Sequence, residues 1–287
     1  MAHKDDCDKN EAENISTVSE EVRVATHEPV NTVVKFNIEI LRCVGLFSIT
    51  IILVIGIVLT VFVTKWPDGN SKFDSEATYI YELFGLNHSC IYIDFNPSRT
   101  VSAFLMAFLH IIPTNCYTIL NYFRIQCDFK KGRISKRLEM YNKITTPIIF
   151  FFTTTFILVF VNQPLDLSSF VLHYIPYFTW QGALCLMEIG QISYLIEREK
   201  IPFNIPKQLM RFYYVFFIGF WMFFSVYVWA IIGGFSIINT STAVGLTFVK
   251  MVIYAFSLLL IIIPTIFAYI ESKDPEIGMI FLQISNL

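Results

Sequence analysis

Two runs of polar side chains set into apolar sequence hold most of the chemistry this chain could do. Between Phe170 and Ile196, the positions Tyr174, Tyr177, Gln181, Leu184, Glu188, Gln191 and Leu195 recur at alternating steps of three and four, so two amides and a carboxylate share one helical face. Between Val101 and Ile125, the residues Ala103, Ala107, His110, Thr114, Tyr117 and Asn121 follow the same alternation. Ionisable side chains are costly in lipid, and those found there face the bundle interior and mark function by default. At a rise of about 1.5 Å per residue, His110 and Gln181 lie about 13 and 16 Å from one end of their helices, and Tyr117, Asn121, Glu188 and Gln191 lie about 24 to 31 Å from it. The spacing therefore predicts that the two helices pack side by side, with Glu188 held by Tyr117, Asn121 or both, and His110 near Gln181. A carboxylate so placed is protonated or opens onto a water-filled vestibule, and the six residues make a candidate ligand or proton site. The competing reading is a set of interhelical hydrogen bonds, each worth about 0.6 kcal/mol, that simply hold the bundle together. Lys250 snorkels from its span, and His173 at a helix mouth reads as a surface group.

Catalysis has little support. The chain contains no His pair at i, i+4, no Gly-x-Ser-x-Gly elbow, no phosphate-cradling glycine loop and no Cys-x-x-Cys. No catalytic residue, metal or cofactor is expected, and the chain reads as non-enzymatic. A membrane-embedded lipid enzyme with scattered groups is the third-ranked possibility. Acidic and basic residues are not clustered into a phosphate-binding surface, which argues against nucleic acid as a partner.

The elements that must position these stripes follow from composition. Of 287 residues, 55% are hydrophobic and 15% charged, against about 25% charged in an ordinary soluble domain. A hydrocarbon core of roughly 30 Å needs about 20 apolar residues of helix. Six runs qualify, at about 43–64, 101–125, 145–161, 170–196, 212–232 and 243–270. The expected fold is all-α, a polytopic transmembrane bundle of six helices. Seventeen Lys and Arg fall on the side of the N-terminus and only Lys65, Lys72 and Arg99 on the other, so the N- and C-termini are expected to be cytoplasmic. Residues 1–36 read as an acidic, disordered cytoplasmic tail, 37–276 as the membrane domain and 277–287 as a short second tail. No removable signal peptide is expected.

Sequons at Asn87 and Asn239 fall on the outer side and are glycosylation candidates, so the chain is a candidate glycoprotein. The outer loop from Lys65 to Thr100 reads as a solvated linker with one short helix near Ala77 to Phe84. Its single cysteine, Cys90, would be an unpaired thiol or an intermolecular bridge, while Cys43 and Cys127 sit where acylation occurs. Across 130–144, Ile134, Leu138 and Tyr141, with Ile144 as a fourth candidate, would line one helical face with basic residues around it, a segment suited to anionic inner-leaflet lipids. The whole describes a multi-pass protein of the plasma membrane or an endomembrane, with the lipid bilayer as its first partner. A receptor, adaptor or trafficking role comes first, and a transporter or channel built around Glu188 is the alternative.

Overall fold

The computed structural model describes residues 32–65, 72–85, 89–233, 244–245, 247–248, 250–252 and 258–284. The described chain is mostly helical. Strand β1 (Thr32–Asn37) leads into α1 (Ile38–Phe62), followed by a short α2 (Tyr79–Phe84) and a 3-10 turn (Ser89–Ile93). Then come α3 (Ser98–Lys130), α4 (Lys136–Phe160), α5 (Leu167–Glu197), α6 (Lys207–Ile232), α7 (Ile263–Glu271), α8 (Pro275–Gly278) and β2 (Met279–Ile284). The strands β1 and β2 pair as a two-stranded sheet, an element the all-α expectation lacks. It begins inside the segment read as a disordered tail, and the chain from 277 onward is likewise structured as far as 284. Both sequons, at Asn87 and Asn239, lie outside the described residues.

Local sequence explains where the helices start. Asn37 caps α1 by accepting the Glu39 N–H, and its amide also donates to the Ser272 carbonyl at 2.7 Å, which fixes the start of α1 to the end of α7. Ser135 caps α4, and Asp166 with Ser169 forms a reciprocal capping box on α5. Because Ser135 caps it, α4 begins nine residues before the expected start of the third span. The aromatic and threonine run Phe150–Thr155 within it is helical. Two of the helix prolines follow wide π turns, Pro113 after Met106–Ile111 and Pro264 after Leu258–Ile262. A proline cannot donate its N–H and crowds the carbonyl four residues back, and a π turn accommodates both effects.

Among the described residues, four helices are long and apolar enough to cross a membrane: Ile38–Phe62, Ser98–Lys130, Lys136–Phe160 and Lys207–Ala230. Their flanks leave Val54, Phe104, Phe108, Phe151 and Val215 exposed, an arrangement that suits lipid and not water. Helix α5, with 31 residues, reaches about 46 Å at 1.5 Å per residue, and its polar stripe is what lowers its apolar content.

Helix α1 is central. It packs along α3 and α7, while α4 packs against both α3 and α5. Its glycines permit this approach: a Cβ on Gly45 would come 2.5 Å from Thr114 Oγ1, and one on Gly56 would come 2.5 Å from Ile93 Cγ2. The core gathers Leu46 and Ile52 of α1, Met106 and Tyr117 of α3, Phe156 of α4 and Leu184 of α5. A second apolar cluster closes one end, where Ile80, Phe84, Cys90 and Ile91 pack on Phe170, Tyr174, Tyr227 and Val228. The segment read as a solvated linker is thus, in its described part, a packed cap. Apolar side chains at i, i+4 of α2 and along the 3-10 turn have a hydrophobic surface to cover. Cys90 is buried within the cap, and burial pushes its thiol well above the usual range, which does not suit the alternative of an intermolecular bridge.

Gly56→Leu should destabilise the protein by about 1 to 3 kcal/mol through overpacking against Ile93 and Ser98, read as a lower melting temperature of the detergent-purified protein.

Candidate functional site

At the end of the bundle where β1 and β2 lie, three carboxylates and two guanidiniums meet inside the protein. Glu39 and Arg42 come from the first turn and a half of α1, Arg124 from α3, Glu188 from α5 and Glu271 from the last residue of α7. All five are buried, Glu39 completely. Arg42 Nε donates to Glu39 Oε2 at 2.8 Å, Nη1 to Glu188 Oε2 at 3.0 Å, and Nη2 lies 2.9 Å from Glu271 Oε1. One guanidinium therefore joins three helices. Arg124 Nη1 donates to the other oxygen of Glu39 at 2.6 Å and to the Ile277 carbonyl at 2.8 Å.

Gln191 sits at the junction. Its carbonyl accepts from the Tyr117 hydroxyl at 3.0 Å and from Arg124 Nη2 at 2.8 Å, and its amide donates to Glu39 at 3.2 Å and to Glu271. Asn121 accepts from Arg124 Nε and Nη2 at 3.1 and 2.6 Å, and the Arg124 guanidinium carbon lies over the Tyr194 ring, 4.4 Å from its centroid. Below this layer, Tyr194 donates to Asp128, which also lies 3.5 Å from Arg133 and 3.8 Å from Arg198.

Of the expected contacts, Tyr117, Asn121, Glu188 and Gln191 do come together, but with different partners. Glu188 is held by Arg42, and Tyr117 reaches Gln191 instead. The backbones of α3 and α5 do not pack closely. Helix α3 packs on α1 and α4, α5 packs on α4 and α6, and long side chains bridge the space between them. The physical reason is Arg42, whose guanidinium fills the place the sequence reading assigned to a direct contact. His110 reaches Trp180, one residue before Gln181. Its Nδ1 lies 2.7 Å from the Gly45 carbonyl, and its Nε2 accepts from Trp180 Nε1 at 2.9 Å. A carbonyl only accepts, so the proton sits on Nδ1 and both ring nitrogens are engaged. Gln181 lies against the Tyr177 hydroxyl, its Oε1 buried without a hydrogen bond.

Sequence reasoning missed Glu39, Arg42, Arg124 and Glu271. Arg42 and Arg124 were counted as topology signals at the inner boundary, where an arginine outside the bilayer and one folded into the bundle look alike. The detectable signal was periodic: Arg124 continues the Tyr117, Asn121 alternation, and Glu39 and Arg42 stand three apart, as salt-bridged helical pairs do.

The remaining candidates are scattered. Cys127 is exposed and Cys43 half-buried. Across 130–144, Ile134 and Leu138 pack with Ile125, Tyr194, Leu195 and Ile277, and the Tyr141 hydroxyl donates to the Leu186 carbonyl at 2.8 Å. Ile134 and Leu138, expected to lie on a leaflet, pack on protein, while Lys131 and Lys136 stay exposed together with Met140 and Ile144. His173, expected at the surface, is buried beside Asp94. No group of His, Cys, Asp and Glu suited to a metal occurs among the described residues. A cavity of about 10 Å³ adjoins Tyr117 and Asn121, and Glu188 does not line it. No family model matches the chain, and no curated protein or solved structure matches it either.

Arg42→Met should leave three carboxylates facing one another and cost about 3 to 5 kcal/mol, the usual price of breaking a buried pair. Glu188→Gln leaves Arg42 paired with Glu39 and Glu271 and should cost clearly less. Thermal melting of both variants in the same detergent checks the order.

Proposed function

We propose that the chain is a six-span integral membrane protein of the plasma membrane or an endomembrane, with both termini cytoplasmic. In this reading it acts without catalysis, as a receptor, adaptor or trafficking factor. The observation that carries it is the setting of Arg42: each nitrogen of its guanidinium lies within 3.0 Å of a carboxylate from α1, α5 or α7. The charged groups in the bundle are paired with one another, as in a clasp that fixes helix positions. The surfaces left to meet partners are then the packed cap outside and the basic turn inside. The apolar flanks of the long helices support the membrane setting, and the 3-to-17 split of basic residues supports the orientation.

A transporter reading has one observation in its favour. Three carboxyls stand against two guanidiniums, so the cluster is neutral only when it holds one proton, and proton-coupled carriers use such groups.

Purified protein in liposomes under a pH gradient separates the two. The clasp reading expects proton leakage at the protein-free level for both wild type and Glu188→Gln, whereas a wild-type flux abolished by that substitution replaces it with transport. Orientation is tested on intact cells with a membrane-impermeant thiol reagent. Lys72→Cys should label above the wild-type background and Lys130→Cys should not, and the opposite pattern reverses the assigned sidedness.

A further inference from the structure

At the cap end, far along α5 from the charge cluster, a second buried pair is built so that it needs a proton. His173 and Asp94 are 3% and 2% exposed. His173 Nδ1 lies 2.9 Å from the Asn162 carbonyl and 3.0 Å from the Val159 carbonyl. Both carbonyls only accept, so Nδ1 carries a hydrogen. The other nitrogen, Nε2, faces Asp94 Oδ1 at 3.7 Å, and neither Nε2 nor Asp94 Oδ2 has a hydrogen bond. A neutral imidazole donating from Nδ1 presents a lone pair at Nε2, and an ionised carboxylate also presents lone pairs. Two acceptors then face each other in a buried space. One added proton reverses this, giving either an imidazolium against a carboxylate or a carboxylic acid donating to imidazole.

We propose that Asp94 and His173 form a proton-binding latch that holds the cap onto α4 and α5 when protonated and releases it when the proton leaves. Asp94 directly follows the 3-10 turn that carries Cys90 and Ile91 into the cap cluster, and the two carbonyls that orient His173 belong to the end of α4 and the residues after it. Closing the pair therefore ties three segments together. Among the described residues the surrounding groups are few. Arg99 of α3 reaches across to the end of α4, donating Nε to the Phe160 carbonyl at 2.6 Å and Nη2 to the Val161 carbonyl at 2.7 Å. Cys90 of the 3-10 turn and the phenols Tyr174 and Tyr177 of α5 complete the shell, around a cavity of about 20 Å³ that His173 helps to line.

The direction of the switch follows from burial. Asp94 is held up at about 6 by burial, against the lowering pull of His173 and Arg99. An acid raised in this way stabilises the closed form fully below the ordinary carboxylate range near pH 4, and that contribution is lost as pH rises through about 6. The cap is thus closed in acid and loosened near neutrality. The latch does not depend on the number of spans or on the receptor reading.

Hydrogen exchange of the full-length protein in nanodiscs, read over residues 79–95 at pH 5 and pH 7.5, tests the latch. In Asp94→Asn the side-chain amide can donate to Nε2 whatever the pH, so this variant serves as a permanently closed reference in which the intrinsic pH dependence of exchange cancels. Wild type should match it within about twofold at pH 5 and exchange about tenfold or more faster at pH 7.5. Equal ratios at both pH values, or faster wild-type exchange in acid, would overturn the proposal. Should Asp94→Asn fail to fold, His173→Gln provides the second reading. Its corrected exchange should differ less than twofold between the two pH values, and a dependence as large as that of wild type would also overturn the latch.

Discussion

A guanidinium that leaves water must find carboxylates on every side that can donate, and Arg42 finds them on α5, on α7 and in its own first turn. That requirement fixes the architecture at one end of the bundle. Moving any of the three helices by the width of a side chain would leave a charge unpaired, at a cost of several kcal/mol. Arg124 extends the same constraint to α3 through the second oxygen of Glu39, and Gln191 uses both halves of its amide to fill the remaining positions. Such a cluster adds less net stability than its short distances suggest, because desolvation offsets most of the Coulomb attraction. What it adds is discrimination: helix registers that misplace one charge are strongly disfavoured.

Farther along the bundle the links become neutral. His110 joins α1 to α5 through the Gly45 carbonyl and the Trp180 indole, using both ring nitrogens. It can reach them because it lies in the π turn ahead of Pro113, where the helix is locally widened. Trp180 in turn stacks on Phe156 of α4 at 4.3 Å between ring centroids. At the cap the contacts are aromatic and aliphatic, with the Asp94 and His173 pair inserted beside them. Polarity thus falls from one end to the other, so the charge cluster sets register, and packing fills in above it.

The helices were legible in the sequence because apolar runs of this length have few other uses, and the shared polar face of α5 was legible from its three-four alternation. The partners of that face were not. Periodicity tells which residues of a helix point the same way but says nothing about which neighbour they meet, and here α1 intervenes with an arginine 146 residues from Glu188. Arg42, Arg124 and Glu271 stand at span ends, where a charge that folds inward and one that meets water have the same sequence neighbourhood. The cap was misread for a related reason. Five acids made the loop look solvated, while Ile80, Phe84 and Ile91 between them are the residues that pack. Likewise Ile134 and Leu138 of 130–144 do share one surface, but they cover Tyr194 and Leu195, while Ile144 stays exposed.

The order of the chain gives the charge cluster a consequence for biosynthesis. Glu39 and Arg42 are made with the first long helix, and Glu271 only with the last. Until the ribosome has delivered α7, Arg42 lacks the carboxylate that faces its Nη2, and a product truncated before residue 271 never acquires it. Delivery of α7, rather than insertion of any earlier helix, is therefore the event that closes the ring of carboxylates around Arg42, and it brings in the third carboxyl that the cluster balances with a proton.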